Sequence, residues 1–152
     1  MAFRVLGKIE LEAGRSDEAL EAFDQASRLA PGYLEPHLQK GLIYAKRGQF
    51  EEALRHWRDR EQSLLHFADH HFNMGVAHSR LGQWSEAAIS WQRTVELEPD
   101  RVEVWHRLGQ TYVALADTVQ ARRSFQYIVD HYQRHELAAE AGDALRALLQ
   151  KL

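Results

Sequence analysis

From Pro36 to Lys46 the apolar positions recur every three or four residues, Gly48 interrupts them, and the pattern resumes from Glu51 to Glu61. That alternation predicts two amphipathic helices joined by a tight turn, and it recurs along the whole chain. Turn signals stand in register at Gly14, Gly48 and Gly82, with Ala116 the departure. Ser16, followed by Asp17 and Glu18, and Ser85, followed by Glu86, are expected N-caps, because a hydroxyl there can accept from an unpaired helix amide. Pro31 and Pro99 are expected to end helices, since proline lacks the amide proton; Leu65 and Gln133 hold the same place in the other two units and leave looser ends. From Glu136 to Leu152 a last amphipathic stretch puts Leu137, Ala141, Leu145, Leu148 and Leu152 on one face and Glu140, Asp143 and Lys151 on the other. It reads as a terminal helix that covers the last unit.

The units share one period. Gly7, Gly41, Gly75 and Gly109 are spaced by 34 residues, and each is followed by an alanine (Ala19, Ala53, Ala87, Ala121) and then by a large ring (Phe23, Trp57, Trp91, Phe125) at constant offsets. An unslipped period of this length predicts a solenoid of helix pairs. The small residues are expected where the two helices of a pair cross, letting the axes approach, with the ring filling space further along.

These positions resemble the tetratricopeptide-repeat family. Trp105, Leu108, Gly109 and Tyr112 carry its first-helix signature in the fourth unit, and Ala19, Phe23, Ala26 and Pro31 its second-helix signature in the first. Departures are His37 and His71 for the tryptophan, Glu10 and His78 for the tyrosine, and Arg60 for a small residue. The resemblance covers residues 1–135 and implies an all-α, right-handed superhelix: one domain over 1–152, with repeats near 1–33, 34–67, 68–101 and 102–135 and a capping helix over 136–152.

Composition narrows the function classes. The chain is 45% hydrophobic and 27% charged, which suits a folded soluble protein. With 19 Lys and Arg against 22 Asp and Glu the net charge is −3, lowering the expectation of nucleic-acid binding. There is no cysteine, hence no disulfide and no thiolate chemistry. Met1 to Leu11 carries Arg4, Lys8 and Glu10, which does not match a signal peptide or a membrane span. The expected location is the cytoplasm, for a whole chain or a piece of a longer one.

Candidate chemistry is sparse. His66, His70 and His71, and the pair His131 and His135, have metal-like spacings, but His66 and His131 fall where a helix should break. His37, His71 and His78 are expected to be half-buried at signature positions and the remaining histidines solvated. His135 and Glu136 begin like a zinc-protease helix, yet Ala139 stands where the second histidine is needed. No phosphate-cradling glycine loop or nucleophile elbow occurs. Trp57, Trp91 and Trp105 are expected in the core, and Trp84 beside a turn. The reading is no enzyme, no cofactor and no metal.

The resemblance places partner binding on the concave face lined by the first helices. On this chain those positions are Arg4 and Lys8; Leu38, Gln39, Leu42 and Lys46; Phe72, Asn73, Val76 and Arg80; and His106, Arg107 and Gln110. They describe an apolar centre with a mostly cationic surround, suited to an extended or helical segment of a protein partner. Two alternatives stand beside this adaptor reading. One is a co-chaperone for acidic chaperone tails, for which the first to third units offer Arg4, Lys8, Gln39, Asp69 and Asn73, and the second to fourth Leu38, Leu42, Asn73, Glu103 and Arg107, with Asp69 and Glu103 opposing an anion. The other is a self-associating scaffold segment of a longer array.

Overall fold

The computed structural model describes residues 2–58 and 61–150. Among these residues every regular element is an α-helix, and the fold class is that of an all-α helical-repeat solenoid. The chain divides into two compact units, Met1–His66 and Phe67–Leu152. The first holds α1 (Ala2–Glu12), α2 (Ser16–Leu29), α3 (Leu34–Lys46), α4 (Phe50–Arg58) and α5 (Glu61–Leu64). The second holds α6 (Ala68–Arg80), α7 (Trp84–Leu97), α8 (Val102–Ala114), α9 (Thr118–His131) and α10 (Leu137–Leu149). From α1 to α4, and again from α6 to α10, each helix packs against the next, the nearest-neighbour arrangement of a helical repeat. Arg60, Lys151 and Leu152 lie outside the described residues.

The glycine and ring of each pair are one device. A Cβ built on Gly7, Gly75 or Gly109 would stand 2.7, 2.7 or 2.6 Å from the ring of Phe23, Trp91 or Phe125, and on Gly41 only 2.1 Å from Nε1 of Trp57. The ring sixteen residues on therefore lies directly against the glycine, not further down the pair. All four rings are at most 2% exposed, and Ala19, Ala53, Ala87 and Ala121 are fully buried. In the first unit Ala19 and Phe23 pack with Ile43; in the second, Trp91 and Phe125 join Val95, Leu108 and Ile128.

The turns repeat as faithfully. Gly14, Gly48 and Gly82 have φ of 77°, 75° and 70°, and Ala116 takes the same left-handed conformation at 57°. The residue after each donates its amide to the carbonyl five positions back: Arg15 to Glu10, Gln49 to Tyr44, Gln83 to His78 and Asp117 to Tyr112, at 2.8–2.9 Å. This is the Schellman closure of a helix C-terminus, which favours glycine at its left-handed position. Only Ala116 carries a Cβ there, at a steric cost of about 1–2 kcal/mol set against the chain entropy of glycine. Ala116→Gly is accordingly expected to raise stability by about 0.5–1 kcal/mol, read as a higher urea midpoint; a lower midpoint would contradict the strain.

The expected serine caps are not formed. Ser16 is already inside α2, whose N-cap is Arg15, and Ser85 is inside α7, whose N-cap is Gln83; neither cap residue gives a side-chain bond. The Schellman closure sets the entry of the next helix one or two residues earlier than the serine signal suggested. Asp117 is the side chain that does cap, accepting from the Gln120 amide at 3.0 Å. Pro31 and Pro99 follow the ends of α2 and α7 as expected. On α10, Ala141 and Leu148 are buried and Leu137 and Leu145 pack on the second unit's core. Glu140 and Asp143 stay in water, with side chains 66% and 73% exposed.

Candidate functional site

The first-helix positions named from the sequence resolve differently in the two units. In the first, Arg4 and Lys8 sit one turn apart on α1 and both reach Glu35 at the start of α3. Arg4 Nη1 stands 3.1 Å from one carboxylate oxygen, and the Lys8 ammonium pairs with the other. Burial pushes the Glu35 carboxyl up, but the hydrogen bonds and charges of Lys8 and Arg4 outweigh it and hold its pKa below the usual range. Two cations that the sequence offers to an acidic partner thus share an internal carboxylate. Leu38, Gln39 and Leu42 on α3 are half-buried and Lys46 is exposed. The Leu38 carbonyl accepts from Trp57 Nε1 at 3.4 Å.

In the second unit the positions on α6 and α8 converge. Phe72 meets Trp91 edge-to-face, with centroids 5.5 Å apart. Its ring is covered by two guanidiniums, Arg101 at 4.4 Å and Arg107 at 5.8 Å. Asp69, Glu98 and Glu103 hold Arg101 in place at 2.7, 3.2 and 3.4 Å. Phe72 and Val76 are half-buried against the core, and Asn73 is half-buried beside them on α6. Phe72 is therefore a packed floor under cations and not an open anchor.

Arg80, Arg107 and Gln110 are exposed and line one cleft of about 280 Å³ together with Trp84 and Trp91. His106 leaves this group. Its Nε2 lies 3.5 Å from Glu140 on α10 and its ring is edge-to-face on Phe125; burial lowers its pKa despite the Glu140 charge. Sequence reasoning missed the two tryptophans as lining. Trp84 is 39% exposed although it is a large ring, and its place directly after the Gly82 turn was the available signal.

The histidines form no metal site of three or more ligands among the described residues. α9 ends at His131 before His135, and a turn separates His66 from α6, so neither pair shares a helix. The expectation that the histidines outside His37, His71 and His78 are solvated fails at His70, which is only 2% exposed. It lies five residues before Gly75, as Pro36 and Val104 lie before Gly41 and Gly109, and all three places are buried. No helix of the described residues is long and apolar enough to cross a membrane.

Residues 4–64 match the family model described as tetratricopeptide repeat. No curated protein matches the chain. Among solved structures it resembles a tetratricopeptide repeat protein from Parabacteroides merdae, with a TM-score of 0.88 and 17% identity over 99% of this chain and 60% of that one. The chain therefore spans about three fifths of the Parabacteroides protein. It also resembles MamA, with a TM-score of 0.77 and 18% identity over 96% and 94% of the two chains. A third is YrrB, described as a TPR protein with an unusual peptide-binding site, with a TM-score of 0.78 and 20% identity over 93% and 73%. Residues 4–64, about two fifths of the chain, are thus similar to tetratricopeptide repeats, and the 34-residue register runs on in phase beyond them.

Proposed function

We propose that this helical-repeat protein is a non-enzymatic adaptor that holds a segment of a partner protein on the first-helix face of its second unit. The fold is one of protein–protein interaction modules. The observation that carries the finer reading is the grouping on α6 and α8, where a half-buried floor of Phe72 and Val76 is edged by exposed Arg80, Arg107 and Gln110. An apolar floor with a hydrogen-bonding rim gives a bound segment both contact area and register. In the first unit the corresponding cations Arg4 and Lys8 are occupied by Glu35, which disfavours it as the main site.

The co-chaperone reading has less support. Of Leu38, Leu42, Asn73, Glu103 and Arg107, only Arg107 would attract an acidic tail, and Glu103 and Asp69 surround Arg101 instead. The adaptor reading is tested by selecting binders from a displayed peptide library and mapping them by NMR. Amide shifts should concentrate on residues 72–80 of α6 and 106–110 of α8. Shifts confined to the outer surface of α7 and α9, around the exposed Ile89 and Val119, would move the site to the opposite face.

A further inference from the structure

We propose that the edge of the first unit formed by α1 and α2 is a docking surface for a basic amphipathic helix of a partner protein, laid against α1 as α7 lies against α8. The site is separate from the first-helix face of the second unit and does not depend on it.

The repeat itself supplies the template. A cleft of about 220 Å³ between α8 and α9 has a third wall, made by Gln92, Val95 and Glu96 of α7. Three periods earlier, Phe3, Leu6 and Glu10 of α1 and Glu18, Glu21 and Ala22 of α2 hold the places of its other lining residues. They line a cleft of about 340 Å³, and no third helix contributes to it.

Burial follows the third wall. Leu6 is 42% and Ile9 52% exposed, whereas one period on Lys40 and Ile43 are 7% and 1% exposed. Ile43 packs with Ala19 and Phe23 of α2, the second helix that precedes it. Leu108, three periods after Leu6, is 3% exposed and shares its cluster with Val95 of α7. These first-helix positions are thus buried by the preceding second helix, and on α1 they face water together with Phe3. A helix seated there would remove that apolar area from water, as α2 does for α3.

Charge decides which kind of helix fits. Glu10, Glu18 and Glu21 stand where the later cleft has Tyr112, Gln120 and Arg123. Arg15 is paired with Glu10, and neither Glu18 nor Glu21 makes an ion pair among the described residues. Beside Arg123, α7 brings an acid, Glu96, into the later cleft; with Glu21 in the place of Arg123, the complementary residue is a Lys or Arg. The contact between α2 and α3 obeys the same matching of sign. Asp24, at the place of Gln92, pairs with Lys40, at the place of Leu6. The occupant is therefore a helix with an apolar side chain at the place of Val95 and basic ones at those of Gln92 and Glu96, positions that share one helix face.

The test uses two synthetic peptides of the α7 sequence, Trp84–Leu97, each held helical by a hydrocarbon staple on the opposite face. One carries Gln92→Arg and Glu96→Arg; the other is unchanged. Titrated into the full chain and followed by NMR, the arginine peptide should shift amides of residues 2–12 and 16–29 and bind about tenfold more tightly than the unchanged one. The margin should narrow as salt is raised. Glu18→Gln with Glu21→Gln should erase it, and Ile9→Ser should weaken both peptides. Glu51→Gln with Glu86→Gln, at two exposed acids elsewhere, should change neither, and circular dichroism confirms that the variants fold. Absence of saturable binding, equal affinities, or a margin that survives the loss of Glu18 and Glu21 would each overturn the assignment. Shifts on residues 72–80 and 106–110 instead would place the peptide on the adaptor face and overturn this site while leaving that reading standing. Self-association in sedimentation that Ile9→Ser abolishes would make a second copy the occupant and overturn the partner helix.

Discussion

Gly41→Ala is expected to destabilise the protein by about 2–3 kcal/mol, more than the same change at any other repeat glycine. The added methyl would stand 2.1 Å from Nε1 and 2.5 Å from Cε2 of Trp57. That ring is 1% exposed and donates its N–H to the Leu38 carbonyl, so it has nowhere to retreat without breaking a contact or shifting α4. Alanine favours a helix over glycine by about 1 kcal/mol, which the clash must first exceed. Gly7, Gly75 and Gly109, whose nearest ring atoms are at 2.6–2.7 Å, should follow with smaller losses. Gly32 meets nothing within 4 Å, and Gly32→Ala provides the reference. Urea unfolding reads the series. A Gly41→Ala midpoint equal to that of Gly32→Ala would show that the ring does not depend on the missing side chain.

The same contact explains why the fold was legible in the sequence. A glycine under a ring at a fixed offset of sixteen is a steric requirement repeated four times, and steric requirements leave marks that a period search finds. The left-handed turn leaves a similar mark at Gly14, Gly48 and Gly82. Helix starts were less legible. Serine before acidic residues is a general N-terminal signal, but here the preceding Schellman bond determines where the backbone turns, and Arg15 and Gln83 end up as caps without a side-chain bond. Local preference yielded to the geometry of the turn before it.

The site was legible in its residue types and not in its pairings. Arg4, Lys8, Arg80 and Arg107 look alike as cations in a sequence, yet two of them share Glu35 and two line a cleft without an acid. Such differences depend on which long side chains reach one another across helices, and no spacing rule encodes that reach. Lys40 shows the same limit. It occupies the place of Met74 and Leu108 immediately before the glycine, is 7% exposed, and is satisfied by Asp24 at 2.7 Å from the neighbouring helix α2. Phe72 was legible as an apolar residue on the correct face, but the two guanidiniums above it were not, because Arg101 arrives from the loop before α8.

His70 should make the second unit lose stability in mild acid, and His70→Leu should remove that loss. Burial, aided by the charge of His71, lowers its pKa from 6.5 to about 4. Neither ring nitrogen has a hydrogen-bond partner, while its ring lies edge-on to His71 at 5.2 Å. The folded protein therefore keeps His70 neutral where the unfolded chain would protonate it. Above pH 6.5 neither state binds the proton and the residue contributes no pH dependence. As pH falls from 6.5 toward 4 the unfolded state alone takes up the proton, and stability drops by up to about 3 kcal/mol before the folded state protonates as well. Leucine has a similar volume, suits a position held elsewhere by Pro36 and Val104, and has no nitrogen to leave unsatisfied, so at pH 8 the variant should match or exceed the wild type. The difference between the two, measured by urea unfolding at pH 8, 6 and 4.5, isolates His70 from carboxylates and from His106, which titrate equally in both. Parallel stability curves would show that His70 is protonated in the fold as readily as in the open chain.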